Sequence, residues 1–164
     1  MTAKQYLLDT NVLLAYIRAG KVGEYVERTY KLQSLPFQPL ICVVSVGEIR
    51  AIAAGRSWRA AKLRRMEAIL QRIVIVDISE TAVIDAYVRV VISRPKGVTL
   101  PQNDMWIAAA TMASGACLLT CDTHFDFLAD NGSLKREWID PRVGERTPGG
   151  GGAAAASREP PSPE

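Results

Sequence analysis

Short apolar runs alternate along the chain with longer stretches in which apolar residues recur at helical spacing. The runs are rich in leucine, isoleucine and valine, and they predict strands at 6–8, 40–44, 73–76 and 116–121, with a candidate fifth strand at 137–139. The run LICVV at 40–44 has no polar interruption, which is typical of a strand buried on both faces of a parallel sheet.

The stretches between these runs predict helices. The first ends near residue 17, and the others cover 22–32, 45–54, 58–72, 79–92 and 105–114. Ser79 is a suitable N-cap, and Gly115 is a suitable residue just beyond a helix end. Strands that alternate with helices predict a three-layer α/β/α sandwich around a mainly parallel sheet of four to five strands.

The last part of the chain differs in composition from the rest. The length of 164 residues fits one domain. From Thr147 onward, the sequence TPGGGGAAAASREPPSPE has no aliphatic side chain larger than alanine, so it has nothing to bury. We therefore predict one folded domain over 1–146 and a disordered tail over 147–164.

Composition and charge narrow the class of protein only slightly. Hydrophobic residues make up 48% of the chain, and the net charge of +3 is a weak indication of a nucleic-acid partner. The sequence shows no convincing signal peptide and no uncharged apolar run of about 18 residues, so no membrane span is expected. Cys42, Cys117 and Cys121 lie in apolar runs and are interpreted as buried, reduced thiols. A cytoplasmic protein is the expectation.

Four acidic residues fall where predicted strands end or predicted helices begin: Asp9, Glu48, Asp104 and Asp122. Because binding sites in open parallel sheets form at the carboxyl ends of the strands, these acids are expected to share one edge. Carboxylates that close repel one another, and a divalent cation removes that penalty. Their oxygen atoms suit Mg²⁺ or Mn²⁺, whereas the single histidine, His124, argues against a zinc hydrolase.

Each acid also has a purely structural interpretation. Asp9 and Asp122 are suitable N-caps for the helices that follow them. Ser45 and Glu48 have the spacing of a capping box, in which the glutamate binds a free backbone N–H. Asp104 near the start of a helix is favoured by the helix dipole alone.

Four short motifs occur in order along the chain. They are LLDTNVLL at 7–14, VSVGEI at 44–49, NDMWIAAA at 103–110 and LLTCDTHF at 118–125. Each resembles the corresponding motif of PIN-domain proteins, and each falls on the expected structural element. The chain therefore resembles PIN-domain ribonucleases over about 7–125, and among them the VapC-type toxins of bacterial VapBC toxin–antitoxin pairs.

The resemblance implies an endoribonuclease that hydrolyses RNA phosphodiester bonds with one or two Mg²⁺ or Mn²⁺ ions. It implies that the catalytic and metal-binding residues are Asp9, Glu48, Asp104 and Asp122. It makes Thr120 the hydroxyl that supports these acids and Asn11 a polar neighbour. It also implies a cognate antitoxin and a homodimer as partners.

The fourth motif departs from the family pattern at one position. Many relatives carry an acid just before the phenylalanine, where this chain has His124. Asp126 follows, but it is displaced along the helix, so whether a fifth acid contributes is left open. We interpret His124 as a surface or helix-start residue rather than a catalytic one.

RNA has to approach an acidic pocket, so basic side chains are expected around it. One stretch, offset mainly by Glu67, is crowded with such residues: Arg50, Arg56, Arg59, Lys62, Arg64, Arg65 and Arg72. The alternatives for this stretch are an RNA-binding rim, an ordinary solvated helix face, or a surface for a partner or second subunit. Arg94 and Lys96 lie in the predicted loop that leads to Asp104 and are the candidate RNA contacts.

Two other classes of protein compete with a nuclease. The first is a catalytically inactive PIN-like module that only binds RNA or acts as a scaffold, although a decayed site need not keep all four acids. The second is a phosphotransfer protein, but haloacid-type phosphatases need D-x-D where this chain has D-T-N at 9–11. Strand-end position alone is not diagnostic, because Asp77 also closes a strand and no function is expected for it.

Overall fold

A five-stranded sheet organises the part of the chain that the computed structural model describes, residues 4–143. The strands are β1 (Tyr6–Leu8), β2 (Leu40–Cys42), β3 (Val74–Val76), β4 (Cys117–Thr120) and β5 (Arg136–Trp138). Their order is β3-β2-β1-β4-β5, and every neighbouring pair is parallel, as the sequence predicted. The predicted tail at 147–164 and the predicted domain end at 146 lie outside the described residues.

Within 4–143, seven α-helices and a short 3₁₀ helix (Leu32–Ser34) accompany the sheet. The α-helices are α1 (Thr10–Arg18), α2 (Lys21–Tyr30), α3 (Val43–Gly55), α4 (Ala60–Leu70), α5 (Thr81–Ser93), α6 (Gln102–Ser114) and α7 (Asp126–Asp130). Leu8 packs in a core with α1–α4, whereas Leu7, on the opposite face of β1, packs in a core with α5–α7. This arrangement confirms the predicted three layers. None of the described helices has the length and apolar character needed to cross a membrane.

The central strand, β1, is where the direction of strand order reverses. From β1 the chain moves to β2 and β3 on one side, and it then returns to place β4 and β5 on the other side. A crevice forms outside the carboxyl ends of strands at such a reversal, and ligands bind there in open α/β sheets. The topology therefore predicts a binding site among the residues that follow β1 and β4.

The second strand is shorter than predicted, because α3 begins at Val43 and not at Ser45. Cys42 is the last residue of β2 and pairs with Val76, which is the last residue of β3. Beyond this pair the backbone has no strand partner, so the two valines after Cys42 start the helix instead. Apolar runs of this length do not reveal by themselves where a strand gives way to a buried helix.

The two helix boundaries predicted from capping residues have different outcomes. Gly115 ends α6 with φ +67°, as predicted. The N-cap prediction for Ser79 is wrong, because α5 begins at Thr81 and Glu80 holds the N-cap position. Ser79 instead donates its backbone N–H to Asp77 Oδ1 at 2.8 Å. This local turn competes with helical hydrogen bonding and delays the start of α5.

The three cysteines form no disulfide. Cys42 and Cys117 are buried as predicted, whereas Cys121 is only half-buried. Burial is the main cause that raises the pKa of all three thiols, to about 11 for Cys121. The cysteines are therefore structural thiols rather than nucleophiles at neutral pH.

At Gly23, the backbone of α2 lies close to the backbone of α1. A Cβ at this position would lie 2.5 Å from the backbone oxygen of Ala15, whereas a Cβ at Gly47 on α3 would meet nothing within 4 Å. We expect Gly23→Ala to lower the free energy of unfolding by about 1–3 kcal/mol, because two backbones must separate. Gly47→Ala should instead raise it by up to about 1 kcal/mol through helix propensity. Thermal unfolding of both variants tests this, and a stabilised Gly23→Ala variant would show that the close approach is absent.

Candidate metal centre

The four predicted acids lie at the carboxyl edge of the sheet, although they come from four separate segments. Asp9 directly follows β1, and Asp122 lies two residues beyond β4, the neighbouring strand. Glu48 belongs to α3, and Asp104 is in the first turn of α6. Hydrogen bonds between side chains and to the backbone join these four segments.

Asp9 is the most deeply placed of the four acids, with 3% of its surface exposed. Its Oδ1 accepts the backbone N–H of Thr10 at 2.7 Å. Its Oδ2 accepts the Thr120 hydroxyl at 2.6 Å and the Asn11 side-chain amide at 3.0 Å. Thr120 Oγ1 also accepts the backbone N–H of Asp122 at 2.9 Å. The two residues implied as supports, Thr120 and Asn11, thus both contact Asp9, and Thr120 connects it to the segment of Asp122.

Glu48 is not part of a capping box, since Ser45 lies inside α3 and Cys42 holds the N-cap position. The glutamate also lies beyond the first turn of its helix, because α3 begins two residues before the predicted start at 45. Its Oε2 accepts the hydroxyl of Thr10, and its Oε1 accepts the side-chain amide of Asn103 at 2.8 Å. Both partners are immediate chain neighbours of other acids in the set, so the Glu48 carboxylate faces the shared edge and not its own backbone.

His124 lies between the remaining two acids. Its Nδ1 is 3.0 Å from Asp104 Oδ2 and 3.2 Å from Asp122 Oδ2. Its backbone N–H binds the other Asp122 oxygen, Oδ1, at 2.9 Å. The histidine is exposed, as the sequence indicated, but its contact with two acids was not foreseen.

One closed network therefore joins all four acids. Successive members are either bonded to each other or adjacent in the chain, and in order they are Asp9, Thr120, Asp122, His124, Asp104, Asn103, Glu48 and Thr10. Sequence reasoning missed Thr10, Asn103 and His124 as parts of this network. The available signal was their position inside the same motifs as the acids.

Burial and like charge act together on Asp9. Burial is the main cause that raises its pKa from 3.8 to about 6, and the charges of Asp104 and Asp122 raise it further. The hydrogen bond from Thr120 opposes this shift because it favours the ionised carboxylate.

Asp104 and His124 shift each other in the directions expected for an acid and a base in contact. Burial is the main cause that raises the pKa of Asp104, the His124 hydrogen bond lowers it, and the charges of Asp122 and Glu48 raise it. The hydrogen bond to Asp104 is the main cause that raises the pKa of His124. Each of the two groups thus favours the charged form of the other.

These shifts predict that the metal-free protein is more stable at mildly acidic pH than at neutral pH. The folded-state pKa of Asp9 lies above its ordinary value, so its stabilising contribution is fully present below about pH 3.8 and is lost as pH rises through about 6. The shift corresponds to about 3 kcal/mol in total, of which about 1 kcal/mol falls between about pH 5.5 and pH 7.5. The raised pKa values of Asp104 and His124 act in the same direction.

The measurement is the melting temperature in EDTA at both pH values and again with excess Mn²⁺. In EDTA we expect a decrease of a few degrees from pH 5.5 to pH 7.5. Bound cation favours the ionised carboxylates, so Mn²⁺ should stabilise the protein more at pH 7.5 than at pH 5.5. A melting temperature in EDTA that rises over this range would contradict the placement of Asp9 in an acidic cluster.

The donor set fits a divalent cation. Asp9 and Glu48 each have both carboxylate oxygens bonded to protein donors. Asp104 and Asp122, in contrast, each direct their Oδ2 atom towards Nδ1 of His124, so these two oxygens converge. One ligand atom from each of Asp104, Asp122 and His124 lies within 4.8 Å of the others. Carboxylate oxygens are the ligands that Mg²⁺ and Mn²⁺ prefer, and imidazole nitrogen is accepted by later transition metals.

Asp126, the displaced acid of the fourth motif, points elsewhere. It forms an ion pair with Arg136 of β5, which leaves it outside the group around His124. Asp77 is also outside that group and closes its own turn. Position at the carboxyl end of a parallel strand is therefore not sufficient, because Asp77 has that position and still bonds only to its own turn within 4–143.

The basic stretch at 50–72, which spans parts of α3 and α4, contributes some of its side chains to contacts within the fold. Arg50 pairs with Glu67, and Arg65 donates to the backbone oxygen of Ile17 at the end of α1. The Lys62 ammonium lies 3.9 Å from the ring centre of Trp58, which packs half-buried against the core. Arg94 and Lys96, in contrast, are exposed in the loop before α6 and form no ion pair within 4–143.

A family model for the PIN domain matches residues 6–131, which is more than half of the chain. The chain therefore belongs to the PIN-domain family. Among curated protein sequences, none matches it significantly.

Solved structures with a similar fold include three toxin–antitoxin assemblies. The structure of VapBC2 from Rickettsia felis contains a DNA fragment from the VapBC2 promoter. It matches with a TM-score of 0.67 and 20% identity, over 83% of this chain and 99% of the other. VapBC-1 from nontypeable Haemophilus influenzae matches with a TM-score of 0.64 and 22% identity, over 82% of this chain and 97% of the other. VapBC-5 from Mycobacterium tuberculosis matches with a TM-score of 0.61 and 20% identity, over 82% of this chain and 98% of the other. At these identities the likeness shows a shared fold.

Proposed function

We propose that this chain is a divalent-metal-dependent endoribonuclease and the toxin component of a type II toxin–antitoxin pair. One observation carries the proposal: four acids from four distant segments are joined into a single network at the carboxyl edge of the sheet. Such a concentration of negative charge is costly unless a cation binds there. Membership of the PIN-domain family and the resemblance to VapC-type toxins favour RNA as the substrate.

The proposed catalytic residues are Asp9, Glu48, Asp104 and Asp122. Asp104 and Asp122 would hold Mg²⁺ or Mn²⁺ directly, and four carboxylates supply enough oxygens for one ion or for two about 4 Å apart. When bound, the metal would lower the pKa of a coordinated water and neutralise negative charge that develops on the phosphate. Thr120 and Asn11 fix the orientation of the Asp9 carboxylate, while Thr10 and Asn103 fix that of Glu48.

Arg94 and Lys96 are the proposed contacts to the RNA backbone. They belong to the loop that leads directly into the helix of Asp104, and both are exposed. An ion-pair partner would reduce their attraction for phosphate, and neither has one within 4–143. Neutralising phosphates with such side chains makes binding depend on salt, so RNA affinity should fall as ionic strength rises.

A cognate antitoxin is the proposed protein partner. The structural relatives described above carry the name VapBC, which supports such a partner for this chain. A groove of about 680 Å³ runs along α4, with Leu35, Ile69 and Ile73 beside Arg65 and Arg72. An antitoxin segment with apolar and acidic side chains would match this lining. A small gene that overlaps the start of this one and suppresses growth arrest on co-expression would identify the partner.

A homodimer is the proposed assembly, with α5 as its interface. This helix exposes a stripe of apolar side chains, each at least 39% exposed: Ile84, Val88, Val91 and Ile92. Beside the stripe, Asp85 and Arg89 form no ion pair within 4–143. Two antiparallel α5 helices around a two-fold axis near Val88 would place each Asp85 opposite the partner's Arg89.

We expect Val88→Glu to convert the dimer into a monomer, because it brings two like charges together at the axis. Light scattering after size-exclusion chromatography gives the mass. Phe37→Glu is the matched control, since Phe37 is 51% exposed like Val88 but lies outside α5. A single Asp85→Arg exchange should weaken the dimer, and adding Arg89→Asp should restore it. A wild-type monomer at all concentrations would contradict this interface.

The function is tested with the purified chain, a single-stranded RNA and a DNA of the same sequence. We expect cleavage of the RNA in Mg²⁺ or Mn²⁺ and none in EDTA. RNA binding without cleavage in either metal would instead support the alternative, a catalytically inactive PIN-like module that binds RNA or acts as a scaffold. Cleavage of the DNA alone would contradict the substrate class.

A further inference from the structure

The His124 ring has an unusual position for an exposed side chain. It is the only histidine of the chain, and a single ring nitrogen, Nδ1, approaches both Asp104 Oδ2 and Asp122 Oδ2. The backbone N–H of His124 holds the other Asp122 oxygen, which leaves Oδ2 directed at the ring. The backbone of the turn thus fixes one carboxylate and presents the imidazole next to it.

The separations between these atoms are those of neighbouring ligands on one metal ion. Ligands at 2.0–2.1 Å in an octahedral shell lie about 3.0 Å apart along each edge. The Nδ1 atom is 3.0 Å from one carboxylate oxygen and 3.2 Å from the other. A cation that binds both carboxylates would therefore meet Nδ1 without any movement of the backbone, or it would have to displace the ring.

We propose that His124 is a nitrogen ligand at the metal centre, together with Asp104 and Asp122, and that it shifts the metal preference from Mg²⁺ towards Co²⁺, Ni²⁺ and Zn²⁺. This inference rests on the proposed metal site and deepens it. Imidazole binds these later metals well, whereas Mg²⁺ prefers a shell made only of oxygen. Mn²⁺, which accepts both kinds of ligand, should lie between the two groups.

The competing role for His124 is that of a counter-ion, which neutralises the carboxylates only while no cation is bound. The two roles differ in what happens to the ring when metal enters. A ligand stays and bonds through Nδ1, whereas a counter-ion leaves and its ring returns to solvent. The exposed position of the ring, 45% for the side chain, allows either response.

Because the chain has a single histidine, this difference is directly observable. The protein is prepared without a histidine tag, labelled with ¹⁵N-histidine, and titrated with Zn²⁺ while the two imidazole nitrogens are followed by NMR. We expect the Nδ1 resonance to move to the range of a metal-bound nitrogen at one equivalent. An Nδ1 resonance that instead moves to the position of a free, solvent-exposed ring would overturn the inference.

Metal affinities of two variants provide the second measurement, by calorimetry. His124→Asn keeps a polar group at the same distance from the backbone but has no ring nitrogen, and we expect it to lose at least about tenfold in Co²⁺ affinity. His124→Asp supplies an oxygen ligand and should bind Mg²⁺ more tightly than the wild type. An equal loss of Co²⁺ and Mg²⁺ affinity in both variants would contradict a role in metal preference.

Neither measurement depends on RNA cleavage. If the Nδ1 resonance shifts but no RNA is cleaved, His124 is a metal ligand and the proposed nuclease function is wrong. If RNA is cleaved in a metal-dependent way but the Nδ1 resonance does not shift, the proposed function stands and His124 is not a metal ligand.

Discussion

Asp104→Asn is expected to reduce RNA cleavage by at least about a hundredfold while the protein remains folded. The substitution removes one negative charge and one strong metal ligand but keeps the size of the side chain. Asp104 is only partly buried, and among residues 4–143 its one side-chain partner is His124, so little of the core depends on it. Initial cleavage rates in saturating Mn²⁺, together with the melting temperature, test the expectation.

Asp77→Asn is the matched control for this experiment. Asp77 also lies at the carboxyl end of a strand, but it is exposed and bonded only within its own turn. Its substitution should leave the cleavage rate unchanged. Equal Mn²⁺-dependent cleavage by wild type and Asp104→Asn would mean that the acidic edge is not the catalytic site.

Asp9→Asn is a less clean test of the same site. One Asp9 oxygen accepts a backbone N–H, and the other accepts both Thr120 and Asn11. An asparagine that keeps the first bond must turn its own NH₂ group towards the Asn11 amide, so two donors face each other. A loss of activity in this variant would therefore mix catalysis with folding.

The sequence was sufficient for the layers of the fold because strand and helix patterns differ in period. Uninterrupted apolar runs such as 40–44 located the parallel strands, and helical spacing located most helices. The exact end of β2 was not predictable, since it depends on β3 ending at Val76, which pairs with Cys42 and leaves Val43 without a strand partner. Ser79 was assigned to a helix start for its intrinsic preference, but the Asp77 turn took its backbone N–H instead.

The candidate site could be predicted as a set of residues but not as a network. The positions of Asp9 and Asp122 follow from strand order, because each lies within two residues of the carboxyl end of one of two adjacent strands. The bond from Asn103 to Glu48 spans 55 positions and depends on how α3 and α6 pack together. His124 was hardest to place, because its contact with Asp104 arises from the turn after β4 and has no counterpart in spacing along the chain.

The other large effect is expected from Thr120, a buried residue with no exposed surface. Its hydroxyl donates to Asp9 Oδ2 at 2.6 Å and accepts the backbone N–H of Asp122 at 2.9 Å, so one atom positions two acids. Thr120→Val keeps the shape but removes both bonds. We expect metal affinity to fall by about 10–100-fold, as when groups that orient metal ligands are removed. The unpaired N–H of Asp122 should also lower the free energy of unfolding by about 1–3 kcal/mol.

Two further variants separate positioning from general destabilisation. Thr120→Ser retains the hydroxyl and should recover most of the Mn²⁺ affinity, although it loses a buried methyl group. Thr111→Val removes another buried hydroxyl, which bonds to the backbone oxygen of Ile107 within α6 and is not part of the acidic network. It should lose stability and keep its Mn²⁺ affinity. If calorimetry instead shows the same Mn²⁺ affinity for Thr120→Val and Thr111→Val, Thr120 has only a structural role, and the orientation of the acids does not depend on it.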